Sequence, residues 1–314
     1  MRKKVSVIGA GQTGASTAQR IAERGYADVV LTDVVEGLAE GKALDLQESA
    51  PVVGFDARVT GVTTTGDGQG FEATADSDLV VITSGVPRKP GMSRDDLLAI
   101  NQQVITTVVQ AVVKNSPNCI VVILTNPVDA MTQLAYRVSG FPSRRVLGQA
   151  GILDTARYKT FIALELNVSV RDIDAYVLGG HGDSMVPLPS QTTVGGQPLT
   201  GLLSSERIEQ IIERTRRGGE EIVRFLKTGS AFYAPSAALA EMVDAILLDQ
   251  KRILPCCAYL EGQYGIRDLY VGVPVTLGAG GVEQILEFSL SAGELGALRQ
   301  SAEAVRGLVE IMKL

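Results

Sequence analysis

The sequence predicts an α/β fold, a doubly wound parallel sheet followed by a second α+β unit. Three observations carry this. Short β-branched runs alternate with amphipathic stretches through the first half. A glycine-rich turn follows the first run. Beyond about residue 150 the alternation stops. Residues 5–8, 29–32, 79–83 and 120–124 are short, apolar and bounded by turn residues, as buried strands are. Residues 15–23, 38–48, 94–114 and 127–138 between them have helical spacing. Strand–helix–strand alternation implies a parallel sheet covered on both faces, and right-handed crossovers make it doubly wound.

The second half mixes its elements. Residues 151–166 predict a helix, 175–179 a strand and 187–201 a hairpin rich in Pro, Gly and Thr. Residues 204–225 and 236–248 predict helices, 253–260 and 269–275 paired strands, and 294–312 a closing helix. The expected division is 1–145 for a dinucleotide and 146–314 for substrate. No linker or repeat separates them.

Bulk properties exclude several classes. A net charge of −6 and a pI near 5.1 argue against nucleic acid, which calls for a basic stripe. No run reaches about 18 consecutive apolar residues, so no membrane span is expected. The basic start before residues 5–8 superficially suits a signal peptide, but the glycine turn interrupts the apolar run too early. Cys119, Cys256 and Cys257 are odd in number and lack a Cys-x-x-Cys spacing, which argues against a disulfide framework or a zinc site. Buried small hydrophobes are the plainer reading of them. A reducing cytoplasm and no metal are the expectation.

Gly9, Ala10, Gly11, Gln12, Thr13 and Gly14 directly follow the first strand and open a helix. Glycines let the backbone bend sharply and approach a pyrophosphate, and the helix N-terminus presents free N–H groups to it. Alone this pattern is weak. Asp33 strengthens it, standing 19 residues after Gly14 at the end of the next strand. An acid there accepts hydrogen bonds from ribose hydroxyls and repels a 2′-phosphate, which favours NAD over NADP.

His181 is the only histidine, set among Gly179, Gly180 and Gly182 in a loop after a predicted strand. Taking a hydride from a secondary alcohol also requires removing the hydroxyl proton, and imidazole suits that near neutral pH. A solvated histidine is the bland alternative. Asp154 and Arg157 lie three apart on one predicted helix and share a face. They read either as a surface ion pair or as a tautomer-fixing carboxylate beside a carboxylate-gripping arginine. Spacing alone leaves both open. Residues 85–94 form a Gly- and Pro-bounded loop with Arg88 and Arg94. It suits closure over an anion, and equally a basic solvated connection. Asn126, in Thr125-Asn126-Pro127-Val128-Asp129, stands at the carboxyl end of a strand, where such sheets collect ligands, and also reads as an ordinary turn before a helix.

These residues together resemble the lactate/malate dehydrogenase family along nearly the whole chain. The most similar branch is that of bacterial malate dehydrogenases close in sequence to lactate dehydrogenases. The resemblance rests on residues 9–14, Asp33, 85–94, Asn101, 125–128, 151–157 and 179–184. It implies a Rossmann-type sheet with a substrate domain. Within it His181 is the proton acceptor and Asp154 its partner. Arg157 anchors the carboxylate beside the reacting carbon, Arg94 polarises the carbonyl, and Asn126 lies near substrate and nicotinamide. Implied NAD contacts are Gly9 through Gly14, Asp33, Asn101, Leu124, Thr125 and Asn126. Arg88 falls where malate-type members carry arginine and lactate-type members glutamine. The implied substrate pair is therefore malate and oxaloacetate, in the tricarboxylic acid cycle, and the implied assembly a homotetramer or dimer. A lactate dehydrogenase and a non-catalytic NAD-binding protein are the alternatives.

Overall fold

The computed structural model describes residues 2–86 and 94–313. The first half runs β1 (Lys3–Ile8), α1 (Gln12–Arg24), β2 (Ala27–Asp33), α2 (Leu38–Val53), β3 (Val59–Thr63), β4 (Leu79–Ile82), α3 (Arg94–Asn115), β5 (Ile120–Ile123), α4 (Val128–Ser139) and β6 (Val146–Gly148). All six strands are parallel, ordered β3-β2-β1-β4-β5-β6. The order reverses between β1 and β4, and the crevice at their carboxyl ends is the ligand position of such sheets.

Alternation along the strands builds two cores. Val5, Val7, Leu79, Val81, Ile120 and Val122 point to one face, beneath α1 and α2. Ile8, Val80, Ile82, Val121 and Ile123 point to the other, beneath α3 and α4. A sheet buried on both faces reads as unbroken apolar runs, which is why these strands were legible. β3 was not expected: Gly61 and two threonines dilute its pattern. β6 was also missed, being three residues long. It lies just past residue 145 yet pairs with β5. Within α3, residues Asp96–Asn115 are long and apolar enough to cross a membrane by composition. Leu98, Ile105, Val109 and Val112 of that helix are buried in the second core instead.

The second half comprises α5 (Gly151–Leu166), β7 (Ile173–Asp174), β8 (Val177–Leu178), β9 (Val186–Pro187), β10 (Thr193–Val194) and β11 (Gln197–Pro198). There follow α6 (Leu199–Leu202), α7 (Ser205–Arg216), α8 (Gly218–Leu226), α9 (Tyr233–Leu247), β12 (Arg252–Glu261), β13 (Arg267–Gly278), β14 (Gly281–Ile285) and α10 (Ala292–Ile311). β12 to β14 are antiparallel and extend the parallel sheet to nine strands through β6. Just past α1, Tyr26 donates to Asp244 of α9, and Arg24 at the end of α1 pairs with Asp244 at 2.8 Å.

The single helix expected over 204–225 is two helices, broken at Arg217. Gly218 explains the break by close approach: a β-carbon there would lie 3.1 Å from the Cδ of Arg157. The chain turns to leave room for that side chain. Where a glycine in a helix meets open space it is only a cost. Gly296, exposed in mid-α10, has nothing within 4 Å of a β-carbon. Gly296→Ala should therefore stabilise the fold by about 0.5–1 kcal/mol, read as a higher urea midpoint with unchanged activity.

Candidate active site

The turn from β1 to α1 is built so that only glycine fits its inner positions. A β-carbon on Gly14 would lie 1.8 Å from the carbonyl oxygen of Gly9. Helix and strand thus touch backbone to backbone. Gly11 caps α1 with no side-chain hydrogen bond, and a β-carbon on it would meet nothing within 4 Å. The first N–H groups of α1 therefore face open space, as a diphosphate requires. Asp33 closes the turn: Oδ2 accepts from the N–H of Ala10 at 2.6 Å and Oδ1 from that of Val35 at 3.0 Å. Each oxygen keeps a lone pair for a ribose hydroxyl. Lys42, which the sequence did not single out, donates from Nζ to the carbonyl of Ala10 at 2.7 Å.

Leu124, Thr125 and Asn126 leave β5 beside this turn. Thr125 Oγ1 donates to the carbonyl of Ser84 at 2.5 Å, and Asn126 is exposed. Asn101 is buried on α3 and braces both exits. Its Oδ1 accepts from the N–H of Val86 at 2.9 Å, while Nδ2 donates to the carbonyls of Val86 and Asn126 at 3.2 and 2.7 Å. Both amide hydrogens are engaged, so only Oδ1 has spare capacity for a cofactor. Arg88 lies outside the described residues, and Arg94 opens α3 with its side chain also outside them.

The chemical centre lies where α5 meets the loop after β8. Asp154 is buried in the first turn of α5, 2% exposed, and reaches two partners. Its Oδ2 lies 2.9 Å from His181 Nδ1, and Arg157 Nη1 donates to its Oδ1 at 3.4 Å. An acceptor at Nδ1 holds the proton on that nitrogen and turns the lone pair of Nε2 outward. Burial opposes charge on His181, but the charge and hydrogen bond of Asp154 outweigh it, and its pKa lies above the ordinary value. Burial lowers the pKa of Arg157, against the pull of Asp154. Its side chain, 13% exposed, lies along Gly218 and Gly219. The spacing left two readings for Asp154 and Arg157, and the buried geometry is not that of a surface pair.

Asp129 and Ser301 were missed as site residues. The N–H of His181 donates to Asp129 Oδ2 at 2.9 Å, and that of Gly180 to Ser301 Oγ at 2.8 Å. Asp129 stands in the motif around Asn126, but an acid in a first helical turn reads as a dipole complement. Asn126-Pro127 is a cis peptide, and Pro127 caps α4 instead of occupying its first helical position. The three cysteines are free and buried. A cavity of about 420 Å³, lined by Lys3, Asp78, Ser116 and Arg144, sits at the amino ends of the parallel strands, opposite this centre.

Residues 3–148 match the NAD binding domain of lactate/malate dehydrogenase, and residues 152–312 match its alpha/beta C-terminal domain. The chain belongs to the lactate/malate dehydrogenase family. A malate dehydrogenase of Chloroherpeton thalassium is 58% identical over 304 residues, covering 96% of each chain. One from Thermomicrobium roseum is 57% identical over 313 residues, covering 100% of this chain and 99% of its own. The solved malate dehydrogenase of Salinibacter ruber superposes with a TM-score of 0.93 at 50% identity, covering 99% of this chain and 97% of its own. A Cryptosporidium parvum lactate dehydrogenase, solved with lactic acid and nicotinamide adenine dinucleotide, gives 0.95 at 39%, covering 100% and 98%. Backbone shape therefore does not separate malate from lactate enzymes.

With one histidine in the chain, its ring protons titrate without overlap. We expect a midpoint above about 6.5 in the free protein. In Asp154→Asn the midpoint should fall below that value, since burial then acts with little opposition. The raised pKa of His181 adds stability below the unfolded pKa, and this is lost as pH rises through the folded value. Proton NMR against pH checks both, and an unchanged midpoint in the variant contradicts the pairing.

Proposed function

We propose that the chain is an NAD-dependent malate dehydrogenase interconverting (S)-malate and oxaloacetate. The single observation that carries the reaction class is the buried Asp154–His181 couple beside Arg157. Its substrate rests on Arg88 and on the malate dehydrogenases to which the chain is most similar among those reported. In this reading residues 1–145 hold the cofactor and lend Arg88, Arg94 and Asn126 to the substrate, while 146–314 supply Asp154, Arg157 and His181.

Gly9 through Gly14, Asp33 and the Leu124-Thr125-Asn126 exit would hold NAD, which when bound would take up the hydride of malate oxidation, its reduced form returning it in the reverse direction. Arg157 grips the carboxylate next to the reacting carbon through parallel N–H donors, a geometry lysine cannot offer. His181 takes the hydroxyl proton at Nε2. Asp154 stabilises the imidazolium that forms, so the proton transfer does not create an unpaired buried charge. Arg94 polarises the carbonyl oxygen as it develops charge. Arg88 pairs with the distal carboxylate of malate. With pyruvate that arginine would be enclosed with only a methyl group for company, at a cost in the transition state.

A homotetramer, with a dimer as the simpler assembly, is the expected form. Leu44, Val52 and Val53 on α2 and Phe225 on α8 are exposed apolar side chains of the kind that subunit contacts cover. Three free thiols suit a reducing cytoplasm, and the tricarboxylic acid cycle is the setting such a reaction fits.

Steady-state rates decide the reading. Oxaloacetate with NADH should be the preferred pair, and faster pyruvate reduction or preference for NADPH overturns it. His181→Asn should lower turnover by about 10²- to 10⁴-fold while NADH still binds. Arg88→Gln should move the oxaloacetate-to-pyruvate ratio of kcat/KM by about three orders of magnitude toward pyruvate. Unchanged selectivity removes the role given to Arg88.

A further inference from the structure

We propose that Asp129 is a positioning residue, whose buried carboxyl group clamps the His181 loop onto the first turn of α4. The inference rests on the reading of His181 as the proton acceptor and extends it to the residue that keeps the imidazole in place.

Asp129 is 4% exposed and Oδ2 accepts the backbone N–H of His181 at 2.9 Å. The neighbouring Gly180 N–H is held by Ser301 of α10 at 2.8 Å. Two successive peptide groups therefore hang from two different helices. Gly179 and Gly272 exchange backbone hydrogen bonds at 2.8 and 3.2 Å and fasten the start of the loop to β13. Three glycines in this loop make it pliant, so its position depends on these anchors. Asp129 follows Asn126 by three residues, on the helix that this exit opens. One side chain thus ties the two loops that would meet a substrate from opposite sides.

The local chemistry is costly for a residue with only a packing role. Oδ1 of Asp129 is buried with no hydrogen-bond partner among the described residues. Burial pushes its pKa up, against the His181 N–H and the Cys257 thiol. An apolar side chain of similar size would avoid that penalty but could not accept the His181 N–H. The groups that act electrostatically on His181 are Asp154 and Arg157 on α5 and Asp129 on α4. Cys257 on β12 faces Asp129. If the loop drifts, the Nδ1–Asp154 bond lengthens first, because its partner is fixed in α5.

The test compares Asp129→Ala, Asp129→Ser and Asp129→Asn in the full chain, with rates referred to NADH-binding sites counted by fluorescence titration. Serine is too short to reach the His181 N–H and keeps a polar group in the helix turn, so it serves where alanine does not fold. In alanine or serine we expect kcat to fall by about 10²-fold, the loss a misplacement near 1 Å gives, with NADH affinity unchanged. The acid limb of kcat/KM for malate oxidation should move to lower pH as His181 loses Asp154. Asparagine, which keeps an acceptor, should recover kcat to within about fivefold, near 1 kcal/mol. Turnover per site within twofold of the parent in alanine or serine overturns the proposal. An unmoved pH profile, or asparagine as slow as alanine, does so too. Failure of the parent chain itself to reduce oxaloacetate would instead overturn the reading of the reaction.

Discussion

One buried carboxylate organises the centre. Asp154 sits almost without solvent in the first turn of α5 and meets His181 at 2.9 Å and Arg157 at 3.4 Å. Breaking either contact leaves a charge in a poorly solvated place, which is far more costly than losing a surface pair. The helix start, the histidine loop and the arginine are therefore bound to a common geometry. The acid in the first turn also opposes the positive end of α5. The fold supplies rigidity where the chemistry needs it: α5 follows β6, and β6 joins the parallel strands to β12.

A second constraint lies at the other end of the crevice. Gly14 and Gly9 are in backbone contact, and Asp33 fastens the same turn through Ala10. Strand, turn and helix form one block at the carboxyl ends of β1 and β4. In the proposed reading, a dinucleotide held at this turn would extend toward β5 and the Asn126 exit. Asn101 holds that exit to the one from β4. In the proposed reading, the groups for cofactor and substrate thus stand on adjacent strand ends.

The antiparallel strands explain how two halves with different patterns make one molecule. β12 to β14 add to the edge of the parallel sheet instead of forming a separate one. α9 packs beside α1 through Tyr26, Arg24 and Asp244. The histidine loop is bridged to β13 at Gly179 and Gly272. The position of His181 is consequently inherited from the same sheet that carries the glycine turn.

Chain-local chemistry was legible without coordinates. The turn from Gly9 to Gly14 with Asp33, the sole histidine among glycines, and the Asp154–Arg157 spacing each occupy one stretch, and their residue types are narrow because the chemistry is demanding. The strands buried on both faces announced themselves by apolar runs, whereas β3 and β6 were too diluted or too short. What the sequence could not determine was which distant groups touch. Asp129 and His181 are 52 residues apart, Gly180 and Ser301 are 121 apart, and Gly218 makes room for an arginine on another helix. Such contacts leave no periodic trace, because each asks only that one acceptor or one missing β-carbon stand at one point in space. The kind of reaction was written along the chain; the placing of His181 was decided by packing.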